Sequence, residues 1–307
     1  MDFSKINANE KSLNALLGAF GKTRFAKSDF GDETEWKLQK DKAGNGSAKL
    51  RFLPSPTGEY FVETRDHGFK IKDAWYIERC PKTLDWENPC PACEYADALK
   101  KGREWDHIPE SEQAGIRPIF GKTSYWANVL VEKDPENPEN EGKIFKYRFG
   151  KKILEKIYNR AIDDPIDGTK GINVFDPVEG ASFTLRCKKV KGFFNYDDSS
   201  FGPPESLLGG DADKIDELIK SGQNINEERG EKKFSSYEDA NKKLKRLIGG
   251  KNVVIPDAPP VKENHIDKEE KQYDSSEGVD LPEGNEDDDA FNYFKQLADT
   301  GNDDVPF

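Results

Sequence analysis

The sequence predicts an α+β fold, mainly β, that lies between a short polar arm and an acidic tail. From Glu35 to about Gly250, short runs rich in aromatic and β-branched residues alternate with turn residues, and helical patterns interrupt them in a few places. Strands with helical insertions of this kind are typical of a small barrel or an α+β core. Only 34% of the 307 residues are apolar and 35% are charged, so we expect part of the chain to lie outside the core.

The individual elements follow from periodicity and from their end signals. Ser235 or Ser236 is the expected N-cap of the last helix, and Gly249-Gly250 its stop. A further short helix is expected in the arm, from Leu13 to Phe20. The predicted strands are Ala48–Leu53, Tyr125–Val131, Ile144–Phe149 and Phe183–Val190, and the predicted helices of the core are Lys151–Ile162, Asp213–Lys220 and Tyr237–Ile248.

The net charge of −12 is confined to one end of the chain. Residues 257–307 contain 16 acidic and 4 basic residues, so the preceding 256 residues are neutral overall. Composition therefore divides the chain into an arm (1–24), a core (25–255) and an acidic tail (256–307). Such a tail is ordinarily a solvated linker. It nevertheless carries an aromatic patch at Ala290–Phe294 and a terminal Phe307, which favour binding to a protein partner.

Two features bear on the compartment. No apolar run approaches the ~18 residues of a membrane span, and the first residues lack the basic-then-apolar pattern of a secretion signal. We therefore expect a cytoplasmic protein without a membrane partner. In that compartment cysteines serve more often as metal ligands or redox groups than in structural disulfides.

One histidine and three cysteines have the spacing of a metal site. His67, Cys80, Cys90 and Cys93 form the pattern H-x12-C-x9-C-x2-C, and the turn Pro91-Ala92 would bring the last two cysteines together. Zn²⁺ prefers four such ligands in a tetrahedron, and a complete set leaves no open position for a substrate. The sequence therefore predicts one structural Zn²⁺ in a subdomain at about residues 62–110.

Two other interpretations of these cysteines stay open. Cys90 and Cys93 could be a redox pair, although the polar, turn-like run before them is unlike the strand that such a motif expects. The cysteines could also be inert. The fourth cysteine, Cys187, alternates with apolar residues on a strand and is predicted to lie in the core, whereas His107 and His265 are predicted to be surface residues.

Two segments interleave cations with aromatic rings. Residues 143–160 hold seven basic residues and one acid, with rings between the charges, and a basic run after Arg186 leads into a loop that contains three rings. Single-stranded nucleic acid is bound by cations that follow the phosphates and by rings that stack on bases. Alternation alone leaves open whether these rings line a groove or the core. No motif for a catalytic nucleophile, a phosphate-binding loop or a metalloprotease is present, so we expect no enzyme.

The same residues resemble the single-stranded DNA-binding proteins of T-even-type bacteriophages. The resemblance runs from about Glu35 to Gly250. Among the matching runs are Arg51-Phe52-Leu53-Pro54, His67-Gly68-Phe69-Lys70, Cys90-Pro91-x-Cys93, Lys122-Thr123-Ser124-Tyr125-Trp126-Ala127-Asn128, Phe145-Lys146-Tyr147-Arg148-Phe149-Gly150-Lys151-Lys152 and Asn195-Tyr196-Asp197.

This resemblance implies an OB-fold core beside a zinc subdomain, with cooperative, sequence-nonspecific binding of single-stranded DNA in phage replication, recombination and repair. The host-cell cytoplasm of the infected bacterium would be its location. The DNA contacts implied, together with the basic residues beside them, are Lys122, Tyr125, Trp126, Lys146, Tyr147, Arg148, Lys151, Lys188, Lys189, Lys191, Phe193 and Tyr196.

The resemblance also implies two kinds of protein partner. The arm, with Lys5, Lys11 and Ser12, would contact the next protomer head to tail along the DNA. The acidic tail would recruit a polymerase, a helicase loader, a primase and a recombination mediator. Its last residues are similar to the tip of bacterial single-strand binding proteins, so that Asp303, Asp304, Pro306 and Phe307 would dock into a partner.

Two alternatives come from other classes of protein. A zinc-stabilised RNA-binding protein or translational repressor would use the same cations and rings, and a comparison of matched RNA and DNA strands separates the two. A thiol oxidoreductase would reduce disulfides and fold without metal.

Overall fold

The computed structural model describes residues 32–166 and 168–249, which form a mixed α+β fold that is mainly sheet. The helix predicted at Leu13–Phe20 and the tail lie outside them. The described strands are β1 (Glu35–Trp36), β2 (Gly46–Leu53), β3 (Val62–Ile71), β4 (Ala74–Arg79), β5 (Lys122–Lys133), β6 (Ile144–Phe149), β7 (Ala181–Val190), β8 (Phe193–Asn195) and β9 (Ser200–Pro204). The described α-helices are α1 (Pro91–Lys100), α2 (Glu110–Ile116), α3 (Lys151–Ala161), α4 (Ala212–Lys220) and α5 (Tyr237–Ile248).

Strand β5 is the centre of the sheet. It pairs antiparallel with β2, β3 and β6, and the strand order is β1-β6-β5-β2-β7-β8. Strand β3 divides its length between two partners, because Val62–Asp66 pair with β5 whereas Asp66–Ile71 pair with β4. The β3–β4 hairpin thus continues beyond the β3–β5 ladder while remaining attached to the central strand.

The main core is built around Phe52 on β2, whose side chain is fully buried. Because side chains alternate along a strand, Leu50 and Phe52 point to the same face and are both buried. Helix α3 closes this core with its own buried face, which consists of Ile153, Leu154 and Ile157. The rings of Tyr147, Phe149, Phe175, Phe183 and Phe201 lie with their centroids 5.6–6.4 Å from that of Phe52.

The predicted strands and core helices are confirmed, with bounds that differ by a few residues at some ends. The N-cap of α5 is Ser236, whose hydroxyl accepts a hydrogen bond from the Asp239 amide at 3.1 Å. Gly249 ends the helix at φ +76°, a left-handed conformation that glycine adopts without steric cost.

A second apolar cluster lies around the hairpin. Phe69 of β3 stacks on Tyr76 of β4 with their centroids 4.9 Å apart, and Leu244 of α5 is fully buried in the same cluster. The cluster also contains Ile116 and Ile119. Residues beyond the predicted range of 62–110 therefore help to bury this part of the chain. In the described part of the chain, no helix has the length and apolar character needed to cross a membrane.

The turn predicted at Pro91-Ala92 is wrong, because these residues begin helix α1. Cys90 precedes the helix in an extended conformation, and Pro91 occupies its first turn. Proline is favoured there because its fixed φ suits a helix and its missing N–H would have no partner in the first turn. The Cys-x2-Cys pair is thus held by a helix start rather than by a turn in a loop.

We expect Phe52→Ala to lower the free energy of unfolding by about 3–5 kcal/mol, because it leaves a cavity among five rings. Phe193, which is 78% exposed, is the matched control, and Phe193→Ala should change stability by less than about 0.5 kcal/mol. Urea denaturation followed by circular dichroism measures both. Equal losses would contradict the position of Phe52 at the centre of the core.

Candidate metal centre and nucleic-acid interface

The four predicted metal ligands converge between the β3–β4 hairpin and helix α1. His67 lies on β3, Cys80 directly follows β4, and Cys90 and Cys93 flank the first residues of α1. The hairpin brings the first two residues to one side of the cluster, and the helix start presents the other two from the opposite side. Their ligand atoms all lie within 4.8 Å of one another, so the set could hold a metal ion.

The distances within the cluster are short and regular. Cys80 Sγ lies 3.6 Å from Cys90 Sγ and 3.8 Å from Cys93 Sγ. His67 Nε2 lies 3.3 Å from Cys90 Sγ and 3.5 Å from Cys93 Sγ. The other ring nitrogen of His67, Nδ1, is 2.8 Å from the carbonyl oxygen of Ile119. A carbonyl can only accept, so Nδ1 carries the proton and Nε2 is left as the ligand atom.

The cluster favours a charged sulfur. Hydrogen bonds from Cys80 and Cys93 are the largest contributions that lower the pKa of Cys90 well below its usual range, against the opposing effect of burial. Burial by itself lowers the pKa of His67, but the hydrogen bonds and negative charge of Cys80 and Cys90 outweigh it and raise that pKa to about 10, so a metal ion bound at Nε2 would displace a proton from that atom. Buried negative charge of this kind attracts a cation, and the thiolate is the form of cysteine that binds metal.

The predictions for the remaining cysteine and for one histidine are confirmed. Cys187 is buried on β7, and its thiol is 3.8 Å from the Gly44 carbonyl oxygen, so it belongs to the packing of the sheet. His107 is exposed. His265 lies outside the described residues.

The structure shows which face of β6 carries the aromatic rings. Tyr147 and Phe149 point into the main core, together with Tyr125 of the neighbouring strand. Tyr125 and Tyr147 are 2% and 6% exposed, so both rings pack in the core and neither offers a face to a base in this conformation. Burial also raises the pKa of Tyr147.

The opposite face of β3, β5 and β6 carries the predicted cations. Trp126 of β5 lies between Arg148 of β6 and Val62 of β3 in the strand register. The charged groups of Lys146 and Arg148 lie 5.9 and 5.7 Å from the centroid of the Trp126 ring. That ring is 5% exposed, and its indole N–H donates to the Thr64 hydroxyl at 3.0 Å.

Carboxylates already hold two of these cations. Lys146 is 4% exposed, and its Nζ donates to Oε1 of the buried Glu228 at 2.5 Å. Arg148 donates from Nη2 to Oδ2 of Asp66 at 2.9 Å and to the Ser124 hydroxyl at 3.0 Å. Arg79 joins the two pairs, because its Nε is 2.6 Å from Asp66 Oδ1 and its Nη1 donates to the Glu228 carbonyl at 2.6 Å. Sequence reasoning missed both carboxylates, and spacing gives no signal for pairs so far apart in the chain.

The other predicted contacts lie on the β7–β8 hairpin. Its two-residue turn is Lys191-Gly192, with φ +49° and +90°, and it joins Val190 directly to Phe193. Positive φ at both residues matches the right-handed twist of the two strands. The hairpin exposes Phe193 (78%), Phe194 (53%), Lys188, Lys189 and Lys191.

Several contacts fix the hairpin at its base. Lys188 pairs with Asp198 at 2.7 Å, and Lys156 of α3 donates to the Asp197 carbonyl at 2.9 Å. Tyr196 packs half-buried against the main core, and burial, followed by the effect of Cys187, raises its pKa to about 12. Of the remaining predicted contacts, Lys122 and Lys151 are exposed at the starts of β5 and α3.

A further exposed ring lies in the loop between two of the metal ligands. Trp86 is 61% exposed, and the cations of Arg65 and Lys82 lie 5.3 and 4.8 Å from its ring centroid. Sequence reasoning did not select it. The signal was a tryptophan in an otherwise polar loop between Cys80 and Cys90, where a large ring has little to pack against.

Comparison with known proteins places the chain in a family. The sequence profile of a family described as gp32 DNA binding protein like matches residues 44–248. The chain is also similar to the single-stranded DNA-binding protein of Enterobacteria phage T2, with 40% identity over 244 residues and 78% of each chain covered. The chain belongs to the gp32 family.

Other relatives agree with this assignment. The single-stranded DNA-binding protein of Enterobacteria phage T4 is 41% identical over 221 residues, which cover 71% of each chain. That of Escherichia phage SV14 is 43% identical over 89 residues, which are 28% of this chain and 79% of that protein. All four members of the metal cluster and all predicted DNA contacts lie within the range of the gp32 match. The predicted arm and tail residues lie outside it and outside the described residues.

We expect Cys93→Ser to reduce bound metal to well below one ion per chain and to lower the midpoint of thermal unfolding, because metal binding supplies much of the folding energy of such a cluster. Cys187→Ser is the matched control. It alters a buried cysteine outside the cluster and should keep one ion per chain. Elemental analysis and differential scanning calorimetry measure the two effects, and full metal content in Cys93→Ser would contradict the ligand set.

Proposed function

We propose that this gp32-family protein binds single-stranded DNA without sequence preference and without catalysing a reaction. The observation that carries the proposal is the β7–β8 hairpin, on which Phe193 projects 78% exposed beside Lys188, Lys189 and Lys191. Exposing a phenylalanine among lysines costs apolar burial, whereas a base stacked on the ring and phosphates beside the cations would recover it. The names of the T2 and T4 relatives support the same ligand.

The cationic face of β3, β5 and β6 is the second proposed contact. Lys122 is exposed there and Arg148 is partly exposed, so both can reach phosphates. Lys146 is assigned a supporting role, because it is buried against Glu228. Trp86, between Arg65 and Lys82, extends this set of rings and cations to the loop beside the metal cluster.

The ion proposed for the Cys3His cluster is one structural Zn²⁺. Bond lengths of ~2.3 Å to sulfur and ~2.0–2.1 Å to nitrogen at tetrahedral angles require sulfur–sulfur separations of about 3.8 Å and sulfur–nitrogen separations of about 3.6 Å. The measured values are 3.6 and 3.8 Å between sulfurs and 3.3 and 3.5 Å from sulfur to nitrogen. Zinc bound by His67, Cys80, Cys90 and Cys93 would cross-link the β3–β4 hairpin to helix α1. Four protein ligands would leave no coordination position for a substrate.

We assign the core to the OB-fold. In support of this, β2, β5, β6 and β7 are antiparallel partners around one apolar core, β3 pairs with β5, and helix α3 follows β6 directly. OB-folds bind single strands on a sheet face and on the loops beside it. Both proposed contact surfaces lie on such strands and loops.

The segments at either end are assigned partner roles. Residues 1–24, with Lys5, Lys11 and Ser12, would contact the next protomer along the DNA, and Asp303, Asp304, Pro306 and Phe307 would dock into replication and recombination proteins. Charge and sequence support the assignment of the tail, because the 16 acidic residues of 257–307 and the aromatic ring of Phe307 suit a basic, apolar pocket on a partner. The protein would act in the cytoplasm of the infected bacterium, in replication, recombination and repair.

Titration with poly(dT) should quench the intrinsic tryptophan and tyrosine fluorescence. The affinity should fall with salt, with a log–log slope of ~0.7 for each phosphate that is neutralised. A matched RNA polymer under the same conditions should bind less tightly. Quenching that does not respond to salt would contradict the cationic surfaces, and preference for RNA would favour a repressor of translation.

Phe193→Ala should weaken poly(dT) binding by about 1–3 kcal/mol and leave the salt slope unchanged, because it removes a stacked base but no cation. Val178→Ala is the matched control, because Val178 is another exposed apolar side chain (47%) and is not among the proposed contacts. An affinity loss shared by both variants, or absent from both, would remove the hairpin from the interface.

A further inference from the structure

We propose that Asp66 is a positioning residue for DNA binding, which holds the guanidinium of Arg148 in the orientation that a phosphate requires. The inference rests on the proposed function. The residue is otherwise unexpected, because a carboxylate on a surface meant for phosphates repels them.

The geometry around Arg148 carries the argument. Asp66 and Ser124 both bond to the same nitrogen, Nη2, at 2.9 and 3.0 Å. Nη2 has two hydrogens, so these two bonds use both of them. The donors of Nε and Nη1 are then the ones with which a phosphate would bond, and the side chain is 39% exposed. The Trp126 ring supports the guanidinium at 5.7 Å.

Asp66 also forms an ion pair with a second cation. Its second oxygen, Oδ1, lies 2.6 Å from Nε of Arg79, whose side chain is only 10% exposed. Arg79 in turn bonds to the backbone of Glu228. The carboxylate is therefore anchored at one oxygen by a buried cation and presents the other oxygen to Arg148. A long, flexible side chain loses rotamer freedom when it binds, and this anchor removes that freedom before DNA arrives.

The direction in which one substitution changes DNA affinity distinguishes this positioning role from simple charge repulsion. Asp66→Asn removes a negative charge from a phosphate-binding surface, so charge alone predicts tighter binding. Loss of positioning predicts the opposite, about fivefold weaker binding, with the salt slope reduced by ~0.7 as Arg148 ceases to neutralise its phosphate.

The experiment uses the full chain and a fluorescein-labelled oligothymidylate, with anisotropy measured across a range of salt. The variants are Asp66→Asn, Arg148→Ala and the double variant, and Asp216→Asn is the control because Asp216 forms an exposed pair with Lys220 on α4. We expect Asp66→Asn and Arg148→Ala each to weaken binding and to lower the slope. The double variant should match Arg148→Ala alone, and Asp216→Asn should match the unaltered protein.

Three results of this experiment would overturn the proposal. Unchanged or tighter binding in Asp66→Asn would show that the carboxylate merely opposes DNA. Additive losses in the double variant, with an unchanged slope, would show a purely structural role. No binding by the unaltered protein would reject the proposed function together with this inference.

A second variant tests the same role without disturbing Arg79. Ser124→Ala removes only the hydroxyl that accepts a hydrogen bond from Arg148 Nη2. It should weaken DNA binding, as Asp66→Asn does, and it should have no further effect when Arg148 is already replaced by alanine. Metal content and unfolding midpoint of both variants are measured in parallel. A loss of binding by Ser124→Ala that persists without Arg148 would also overturn the proposal.

Discussion

The antiparallel pairing of β3 with two different strands is the constraint on which the Cys3His cluster and the cationic face of β3, β5 and β6 both depend. As far as Asp66 the strand is hydrogen-bonded to β5, and from Asp66 onward it is bonded to β4. Because backbone bonds of a ladder fix both register and facing, the hairpin cannot rotate freely about the main sheet. The Cys3His cluster is assembled on one side of this shared strand and the cationic face on the other.

Two kinds of surface follow from the distribution of charge. On the β7–β8 hairpin, rings and lysines are exposed together, as binding of a flexible single strand requires. On the face of β3, β5 and β6, cations are partnered by Asp66 and Glu228, so part of the positive charge serves the fold. Buried ion pairs stabilise little by themselves, but removing one partner leaves an uncompensated charge. Lys146 is therefore bound to the buried Glu228 in this structure although it lies in a basic run.

The sequence predicts strands and helices well here because each one obeys its own periodicity and has clear end signals, as at Ser236 and Gly249. It also predicts the metal cluster, because Cys-x2-Cys is a local pattern and the other two residues are of ligand type. Periodicity could not decide which face of β6 is buried, since alternation places Tyr147 and Lys146 on opposite faces without naming the core. The sequence could not predict that Asp66 pairs with Arg148 or that Glu228 pairs with Lys146. The residues of each pair are 82 positions apart, and Glu228 lies in a short turn that has no periodic pattern.

The adjacency of Asp66 and His67 on β3 has a consequence for the accuracy of folding. Consecutive side chains of a strand point to opposite faces, so a slip of one residue would move each of them to the wrong face. In one direction His67 would take the place of Asp66 beside Arg79 and Arg148. In the other direction Asp66 would take the place of His67 and bring a carboxylate into a cluster of three sulfurs. Each of those contacts is unfavourable, so a slip in either direction is penalised.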